Sequence, residues 1–310
     1  MSRAPRRVLL VFVDGIGVAP AGPSNPFAQV PLAVLAPLVD PRAVLPRGGR
    51  VALTDATLGV AGLPQSATGQ TTILTGRNAA RIVGRHVHGF PGPTLVAVLR
   101  EASLFLPVVA AGRPARFLNA FGEPYRSALE AADPAAPPSR VLGRPLSATT
   151  RAALAARLPF MGAGDLVAGR ALFHDFTNET LASRGIEAPR RTPEAAGALL
   201  AAACRPYDLA LYEYFLTDVV GHRADLEAGV AQVARLEAFL AALVAALDDE
   251  TLLVVTSDHG NLEDATTRSH TRNPVATLLL GPGADEAAAR VRSLEDITPA
   301  IHAALGLSTS

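Results

Sequence analysis

The stretch that decides the fold is Thr251-Leu252-Leu253-Val254-Val255-Thr256-Ser257-Asp258-His259-Gly260-Asn261. Its first five residues form a continuous apolar run, which is typical of a buried strand in a parallel sheet. The run stops at Asp258 and His259, and Gly260 and Asn261 then favour a sharp turn. Ligands gather at the carboxyl ends of strands in open α/β sheets. The side chains of Asp258 and His259 can both bind divalent metals. The alternative is a capped turn with an incidental histidine.

The composition favours an α/β protein and excludes several other classes. Of the 310 residues, 49% are apolar and 5% aromatic, which fits an Ala-, Leu- and Val-rich α/β protein and not a disordered chain. The 28 basic residues balance the 28 acidic ones, so nucleic acid is not an expected partner. All the basic residues are arginine, which excludes a catalytic lysine. The single Cys204 excludes an internal disulfide and a Cys-rich zinc site.

The N-terminal region faintly resembles a secretory signal, because arginines precede the apolar run Val8–Val13. That run is short and ends in Asp14 with no cleavage-like site after it, so a first β-strand is predicted. No apolar run approaches the roughly 18 residues of a membrane-spanning helix. We therefore expect a soluble, cytoplasmic protein without a membrane partner.

Asp14 stands at the end of this first predicted strand, with the flexible Gly15 after it. The arrangement repeats the one proposed for Asp258, so Asp14 is a second candidate site residue. A turn-capping role is the alternative. The apolar stretch Val51–Thr54 predicts a further strand or hairpin arm.

A third candidate pair, Asp218 and His222, follows the predicted strand Asp208–Phe215. The two residues are four positions apart, and both side chains suit a divalent metal. His270 lies just before another predicted strand, Val275–Leu280. Three predicted strand ends therefore carry metal-binding residue types, and a further histidine lies before a fourth strand.

The segment Gly62–Arg77 predicts a loop that enters a helix, with Pro64 near its start and Gly76 near its end. Ser66 has two interpretations. The spacing alone favours an N-cap that satisfies a free backbone amide. The alternative is a nucleophile whose target phosphate would lie on the free helix amides.

Helical and extended segments alternate along most of the chain, which predicts a three-layer α/β/α core with a mostly parallel sheet. Further segments of this pattern are helices over Pro93–Ser103, Thr192–Cys204, Asp225–Leu247 and Asp296–Leu305 and a strand over Ala115–Asn119. His86 and His88 alternate, which would suit one face of a short strand, and the alternative is a loop, where histidines are common. The pattern loosens in the middle third, where Pro134–Pro138 is a predicted linker. We assign residues 1–122 and 192–310 to the core and 123–191 to a small inserted cap.

The candidate residues together form the set that two adjacent divalent cations require. They are Asp14, Ser66, Asp218, His222, Asp258, His259 and His270. Two cations can clamp a phosphoryl oxygen, deprotonate the attacking hydroxyl and stabilise the leaving oxygen. The combination therefore predicts a two-metal site for phosphoryl transfer.

The sequence resembles the metalloenzyme branch of the alkaline phosphatase superfamily. It is most similar to the cofactor-independent (2,3-bisphosphoglycerate-independent) phosphoglycerate mutases and, more distantly, to the phosphopentomutases. The matching motifs occur in the family's order and reach both ends of the chain. They are Val13-Asp14-Gly15, Gly62-Leu63-Pro64 with Ser66-Ala67-Thr68-Gly69, Asp218-Val219-Val220-Gly221-His222, Ser257-Asp258-His259-Gly260-Asn261-Leu262-Glu263 and His270-Thr271-Arg272-Asn273-Pro274-Val275.

The resemblance implies an alkaline phosphatase-like fold and a role for Ser66 as the nucleophile that becomes phosphorylated. It implies a first metal held by Asp14, Ser66, Asp258 and His259, and a second held by Asp218, His222 and His270. The metals would be manganese, or zinc as in many relatives. Asn261 and Glu263 also match motif positions.

The middle third departs from the mutase pattern. The mutase cap is much larger than the segment available here, and the active-site lysine of the mutases has no counterpart. The resemblance therefore implies phosphoryl transfer on a small phosphorylated metabolite, by a phosphatase or a phosphomutase, and leaves the substrate and the oligomeric state open. A phosphodiesterase or sulfatase-like hydrolase of the same superfamily and a non-catalytic metal-binding module are the alternatives.

Overall fold

A computed structural model describes residues 4–133, 140–183 and 187–307. The predicted linker Pro134–Pro138 lies outside the described residues. The described strands are β1 (Arg7–Val13), β2 (Arg50–Thr54), β3 (Ala115–Phe117), β4 (Arg140–Val141), β5 (Arg144–Pro145), β6 (Leu209–Tyr214), β7 (Thr251–Thr256) and β8 (Val275–Leu280).

The described α-helices flank these strands. They are α1 (Ser66–Thr75), α2 (Ala79–Val83), α3 (Pro93–Ala102), α4 (Phe105–Ala110), α5 (Tyr125–Glu130), α6 (Ala148–Ala155), α7 (Ala163–Val167), α8 (Glu179–Ser183), α9 (Pro193–Ala203), α10 (Leu216–Gly221), α11 (Leu226–Ala246), α12 (Ala284–Ala288) and α13 (Ile297–Ala304). Short 3₁₀ helices cover Pro26–Gln29, Ala36–Leu38, Pro46–Gly48 and Leu294–Asp296.

Six strands form one sheet in the order β2-β8-β7-β1-β6-β3, and β4 pairs with β5 in a separate hairpin. Strand β1 lies at the centre, parallel to β6 on one side and to β7 on the other. Strand β8 runs antiparallel to both β7 and β2. The predicted α/β fold with a mostly parallel sheet is confirmed.

The sheet separates two hydrophobic clusters, because successive side chains of a strand point to opposite faces. In β1, Val8, Leu10 and Phe12 belong to one cluster, and the residues between them belong to the other. Strands β6 and β7 are likewise buried along their whole length. Continuous apolar runs therefore form the centre of the sheet, with helices on both sides.

The segment 123–191 contributes to both clusters. Leu129 and Leu146 pack in the cluster of Phe12, whereas Met161 and Phe176 pack in the other. Single bridges from Asn119 to Leu172 and from Ala120 to Met161 extend the sheet beyond β3. The segment thus packs along one edge of the sheet, and its separation as a cap domain remains a prediction.

Two helical segments among the described residues have the length and composition of a membrane span, which corrects the expectation that no run approaches it. They are Pro93–Ala110 and Leu226–Ala246. Half of the second and 39% of the first are buried inside the fold, as in core helices of globular proteins, so length and apolarity alone are weak evidence for a membrane. The absence of a membrane partner remains a prediction.

Candidate metal centre

The candidate residues meet where the central strands end. Asp14 follows β1 directly, and Asp258 stands two residues beyond the end of β7. Phe12 is in register with Thr256, so Asp14 and Asp258 lie at the same level of neighbouring parallel strands. The carboxyl edge of the sheet therefore places two buried carboxylates side by side.

Ser66 joins this pair from α1. Gln65 occupies the N-cap position without a side-chain hydrogen bond, and Ser66 is the first helical residue. Its Oγ lies 3.0 Å from Nε2 of His259. The N-cap interpretation of Ser66 is therefore wrong, because Gln65 occupies that position and the Ser66 hydroxyl faces the candidate metal ligands. A Cβ at Gly69 would lie 2.8 Å from Cβ of Asp258, so only glycine allows α1 to come this close.

The first group of candidate ligands consists of Asp14, Asp258 and His259, whose ligand atoms lie within 4.8 Å of one another. His259 Nε2 is 3.3 Å from Asp14 Oδ1 and 3.5 Å from Asp258 Oδ2. Asp14 Oδ1 is buried and accepts no hydrogen bond from the described residues. A buried carboxylate oxygen without a donor is costly unless a cation neutralises it, so the group fits a divalent metal.

The second group consists of Asp218, His222 and His270. Asp218 lies on the short helix α10 and not in a loop after the strand, and His222 caps the end of that helix. His222 Nε2 is 3.3 Å from Asp218 Oδ2 and 3.2 Å from His270 Nε2. The His222 side chain is 45% exposed, so the centre opens to solvent on this side.

Backbone carbonyls fix the two histidines of the second group. Nδ1 of His270 lies 2.9 Å from the Pro64 carbonyl oxygen, and Nδ1 of His222 lies 2.7 Å from that of Arg268. A carbonyl oxygen can only accept, so Nδ1 carries the hydrogen in both rings. Nε2 then presents its lone pair to the centre, as in metal-binding histidines.

His259 connects the two groups. Its ring stacks on that of His270 with centroids 3.6 Å apart. Its ligand atom also lies within 4.8 Å of those of Asp218 and His270. The family resemblance assigns His259 to the first cation alone, whereas the geometry places its ring nitrogen within reach of both groups.

The electrostatics of these side chains also fit a cation. Burial, and then repulsion from Asp258 and Asp218, raises the pKa of Asp14 well above its usual range. Burial and the charge of Asp218 raise the pKa of Asp258 to about 8. Burial, and then His270, lowers the pKa of His259 well below its usual value. Neutral imidazole and adjacent carboxylates are the ligand forms that a divalent metal stabilises.

Three supporting residues complete the centre. Gln70, one helical turn after Ser66, donates hydrogen bonds to Asp14 and Asp258. Asn261 Nδ2 donates to Asp218 Oδ1 at 2.6 Å. Glu263 accepts from the backbone N–H groups of Gly17 at 2.9 Å and Asn261 at 2.8 Å. The sequence indicates Asn261 and Glu263 through their motif, but its only signal for Gln70 is the four-residue spacing from Ser66.

Other histidines and the cysteine lie outside the centre. The segment around His86 and His88 is a loop and not a strand, and His86 Nε2 lies 3.3 Å from the Val60 carbonyl oxygen. His302 bonds the Leu104 carbonyl inside the fold. Burial raises the pKa of Cys204 to about 11, so its thiol stays protonated and unreactive.

Comparisons with known proteins point to one family. The family model described as Metalloenzyme superfamily matches residues 6–309. The chain is 32% identical over 111 residues to a 2,3-bisphosphoglycerate-independent phosphoglycerate mutase of Methylobacillus flagellatus and 34% identical over 123 residues to one of Ruegeria pomeroyi. These matches cover 33% and 37% of this chain but only 22% and 24% of the two mutases.

Solved structures share the fold at low sequence identity. The PH0037 protein from Pyrococcus horikoshii has a TM-score of 0.57 at 14% identity, with 99% of both chains covered. An alkaline phosphatase from Thermus thermophilus has a TM-score of 0.54 at 13% identity, with 100% of this chain and 93% of the phosphatase covered. This likeness supports the α/β/α architecture.

Proposed function

The chain belongs to the Metalloenzyme superfamily, and from this premise we propose that it is a two-metal phosphoryl-transfer enzyme that acts on phosphomonoesters through a phosphoserine at Ser66. Its substrate would be a small phosphorylated metabolite, and its reaction that of a phosphatase or a phosphomutase. The cations would be manganese or zinc. The protein would act in the cytoplasm.

One observation carries this proposal. The Ser66 hydroxyl, on the first residue of a helix, lies 3.0 Å from a histidine that also contacts two buried carboxylates. A serine that only stabilised the helix would direct its hydroxyl to the backbone. The position of Ser66 among metal-binding side chains fits a nucleophile that needs activation.

The chain's own residues suggest how the transfer proceeds. Asp14, Asp258 and His259 would hold one cation beside Ser66, and Asp218, His222 and His270 would hold the other. Two bound cations would lower the pKa of the hydroxyl and neutralise charge on the phosphoryl oxygens. Ser66 Oγ would then lose its proton to solvent and form a bond to phosphorus, while the ester P–O bond breaks and the leaving oxygen takes a proton from water. The first amides of α1 would orient the phosphoryl group.

The fate of the phosphoserine distinguishes the two reactions. Attack by water on phosphorus would regenerate Ser66 and release inorganic phosphate, which is a phosphatase reaction. Return of the phosphoryl group to another hydroxyl of a retained substrate would be a mutase reaction, and this requires exclusion of water. Segment 123–191, proposed above as a cap, packs beside the sheet edge and is the candidate for that exclusion.

The test compares the wild type with Ser66→Ala and with Ser103→Ala. Ser103 is also buried, but its Oγ donates to the Ala152 carbonyl at 2.8 Å and lies outside the centre. Metal-stripped protein is titrated with Mn2+ or Zn2+, and release of phosphate from an aryl phosphate is measured. We expect metal-dependent release that falls at least ~1,000-fold in Ser66→Ala and persists in Ser103→Ala.

Peptide mass spectrometry adds a direct reading of the intermediate. After acid quenching, a phosphoryl group on the peptide that contains Ser66 supports the proposal. Transfer between hydroxyls of a sugar phosphate without release of phosphate supports a mutase. Hydrolysis of a phosphodiester or a sulfate ester alone supports the alternative hydrolases of the superfamily. A wild-type protein that binds no divalent metal contradicts the proposal.

A further inference from the structure

Gln70 lies between the two carboxylates of the first ligand group. It is located on α1, one turn after Ser66, and its side chain is buried, with only 6% of the residue exposed. Its amide nitrogen Nε2 lies 3.0 Å from Asp14 Oδ2 and 3.2 Å from Asp258 Oδ2. An amide nitrogen carries two hydrogens, so this single group can donate one hydrogen bond to each carboxylate.

The hydrogen bond from Gln70 to Asp14 determines which Asp14 oxygen is left to bind a cation. Oδ2 of Asp14 accepts a hydrogen bond from Gln70 Nε2, whereas Oδ1 has no donor among the described residues and lies 3.3 Å from His259 Nε2. Oδ1 therefore faces the same space as the imidazole and the Ser66 hydroxyl. Without Gln70, the Asp14 side chain could rotate about its terminal torsion, which is broad for aspartate.

A neutral hydrogen-bond donor suits this position better than a positively charged one. Two adjacent buried carboxylates repel each other, and a donor between them reduces that repulsion. A guanidinium would do so more strongly, but its positive charge would oppose a divalent cation a few ångströms away. An amide supplies both N–H groups without that charge.

We propose that Gln70 is a positioning residue that fixes Asp14 and Asp258 for the cation beside Ser66. This inference rests on the proposed function, because it assigns Gln70 to one of its two metal positions. Gln70 contacts neither the reacting hydroxyl nor the second ligand group in the described hydrogen bonds, so its effect should be confined to the first position.

The experiment replaces Gln70 by methionine, which keeps the length of the side chain and removes both donors. Gln232→Met is the matched control, because Gln232 is 8% exposed and its amide donates to the Tyr214 hydroxyl, away from the centre. Metal-stripped wild type and both variants are titrated with Mn2+ by calorimetry, and the melting temperature of each metal-free protein is recorded. Gln70→Asn, which retains the amide but shortens its reach, replaces Gln70→Met if that variant does not fold.

We expect the wild type and Gln232→Met each to bind two Mn2+ ions. The affinity of each site should be the same in the two proteins. In Gln70→Met one of the two sites should weaken by about 10- to 100-fold, as for other groups that orient metal ligands, while the second site keeps its affinity. Two unaltered sites in Gln70→Met would overturn this inference and leave the proposed function intact. A wild type that binds no metal would overturn both.

Discussion

Gly15 shows how little space separates Asp14 from the second ligand group. Its φ of +71° is a conformation that glycine adopts without strain. A Cβ at this position would lie 2.8 Å from both Cβ and Oδ1 of Asp218 and 3.0 Å from its Cα. The Asp-Gly pair after β1 therefore serves two purposes, since it ends the strand and leaves space for a ligand from α10.

Gly15→Ala should therefore destabilise the protein and weaken one metal site. Gly48→Ala is the matched control, because Gly48 has a φ of +65° but no atom within 4 Å of the added Cβ. The strain of positive φ should cost both variants about 1 kcal/mol of unfolding free energy, and overpacking should cost Gly15→Ala about 2 kcal/mol more. Denaturant unfolding and Mn2+ titration measure the two effects. Equal stability of the two variants would contradict the described contact with Asp218.

The sequence predicts charged and nucleophilic site residues far better than neutral supporting ones. Aspartate and histidine at the ends of apolar runs indicate Asp14, Asp258 and His259. Gln70 carries no comparable signal, because a glutamine inside a helix is an ordinary surface residue until the fold buries it. The contact of His259 with both ligand groups likewise depends on ring positions that no sequence pattern encodes.

Helices α9 and α11 pack closely against each other on one side of the sheet. Gly197 of α9 lies so near the backbone of α11 that a Cβ would meet the Phe239 carbonyl oxygen at 2.2 Å. The two helices cover the cluster that contains Leu200, Leu236 and Leu240. A single missing side chain thus sets the distance between two core helices.

Replacement of Gly197 by alanine should separate these helices. We expect a loss of about 2–3 kcal/mol in unfolding free energy, because backbone atoms of α11 cannot move as a flexible side chain would. Gly164→Ala in α7 introduces the same methyl group into open space and should gain up to about 1 kcal/mol from helix propensity. Chemical denaturation of the two variants measures the difference, and a stabilised Gly197→Ala would show that the helices lie further apart than described.

Elements with a strong hydrophobic pattern are predicted almost to the residue, and short polar ones are not. The predicted strand Val275–Leu280 and the helix after Thr192 agree with β8 and α9. Helix α10 was missed, because six residues provide less than two turns of periodicity. Of the two interpretations of His86 and His88, the loop is correct and the strand is wrong, since two polar residues provide no buried face to pair with a neighbour.

At the scale of the molecule, Glu213 couples global stability to pH. It lies buried on β6, and Thr149 donates a hydrogen bond to its Oε2 at 2.7 Å. Burial raises its pKa to about 7, against an ordinary 4.5. Between pH 4.5 and 7, Glu213 therefore keeps its proton in the folded protein but loses it in the unfolded chain. The resulting stability is complete below about pH 4.5 and is lost as the pH rises through 7.

Glu213→Gln should remove this dependence, because an amide of the same shape stays neutral at every pH. At ~1.4 kcal/mol per pKa unit, the metal-free variant should gain about 3 kcal/mol over the wild type between pH 4.5 and pH 8. Denaturant unfolding across this range measures the gain. Glu227→Gln at an exposed position of α11 controls for the lost charge and should follow the pH dependence of the wild type. If the unfolding free energies of the wild type and Glu213→Gln changed in parallel with pH, the described burial of Glu213 would be contradicted.

The central position of β1 has a consequence for how the protein is made. Its register partners on β6 and β7 lie about 200 and 244 residues later in the chain, from Val8 to Leu209 and to Leu252. At ~5–20 residues per second, a ribosome needs roughly 10–40 s to reach the first of them. Throughout that time an apolar strand with both edges open has no native neighbour, and such strands invite aggregation. Its biogenesis therefore favours a chaperone that shields the early chain until the later strands emerge.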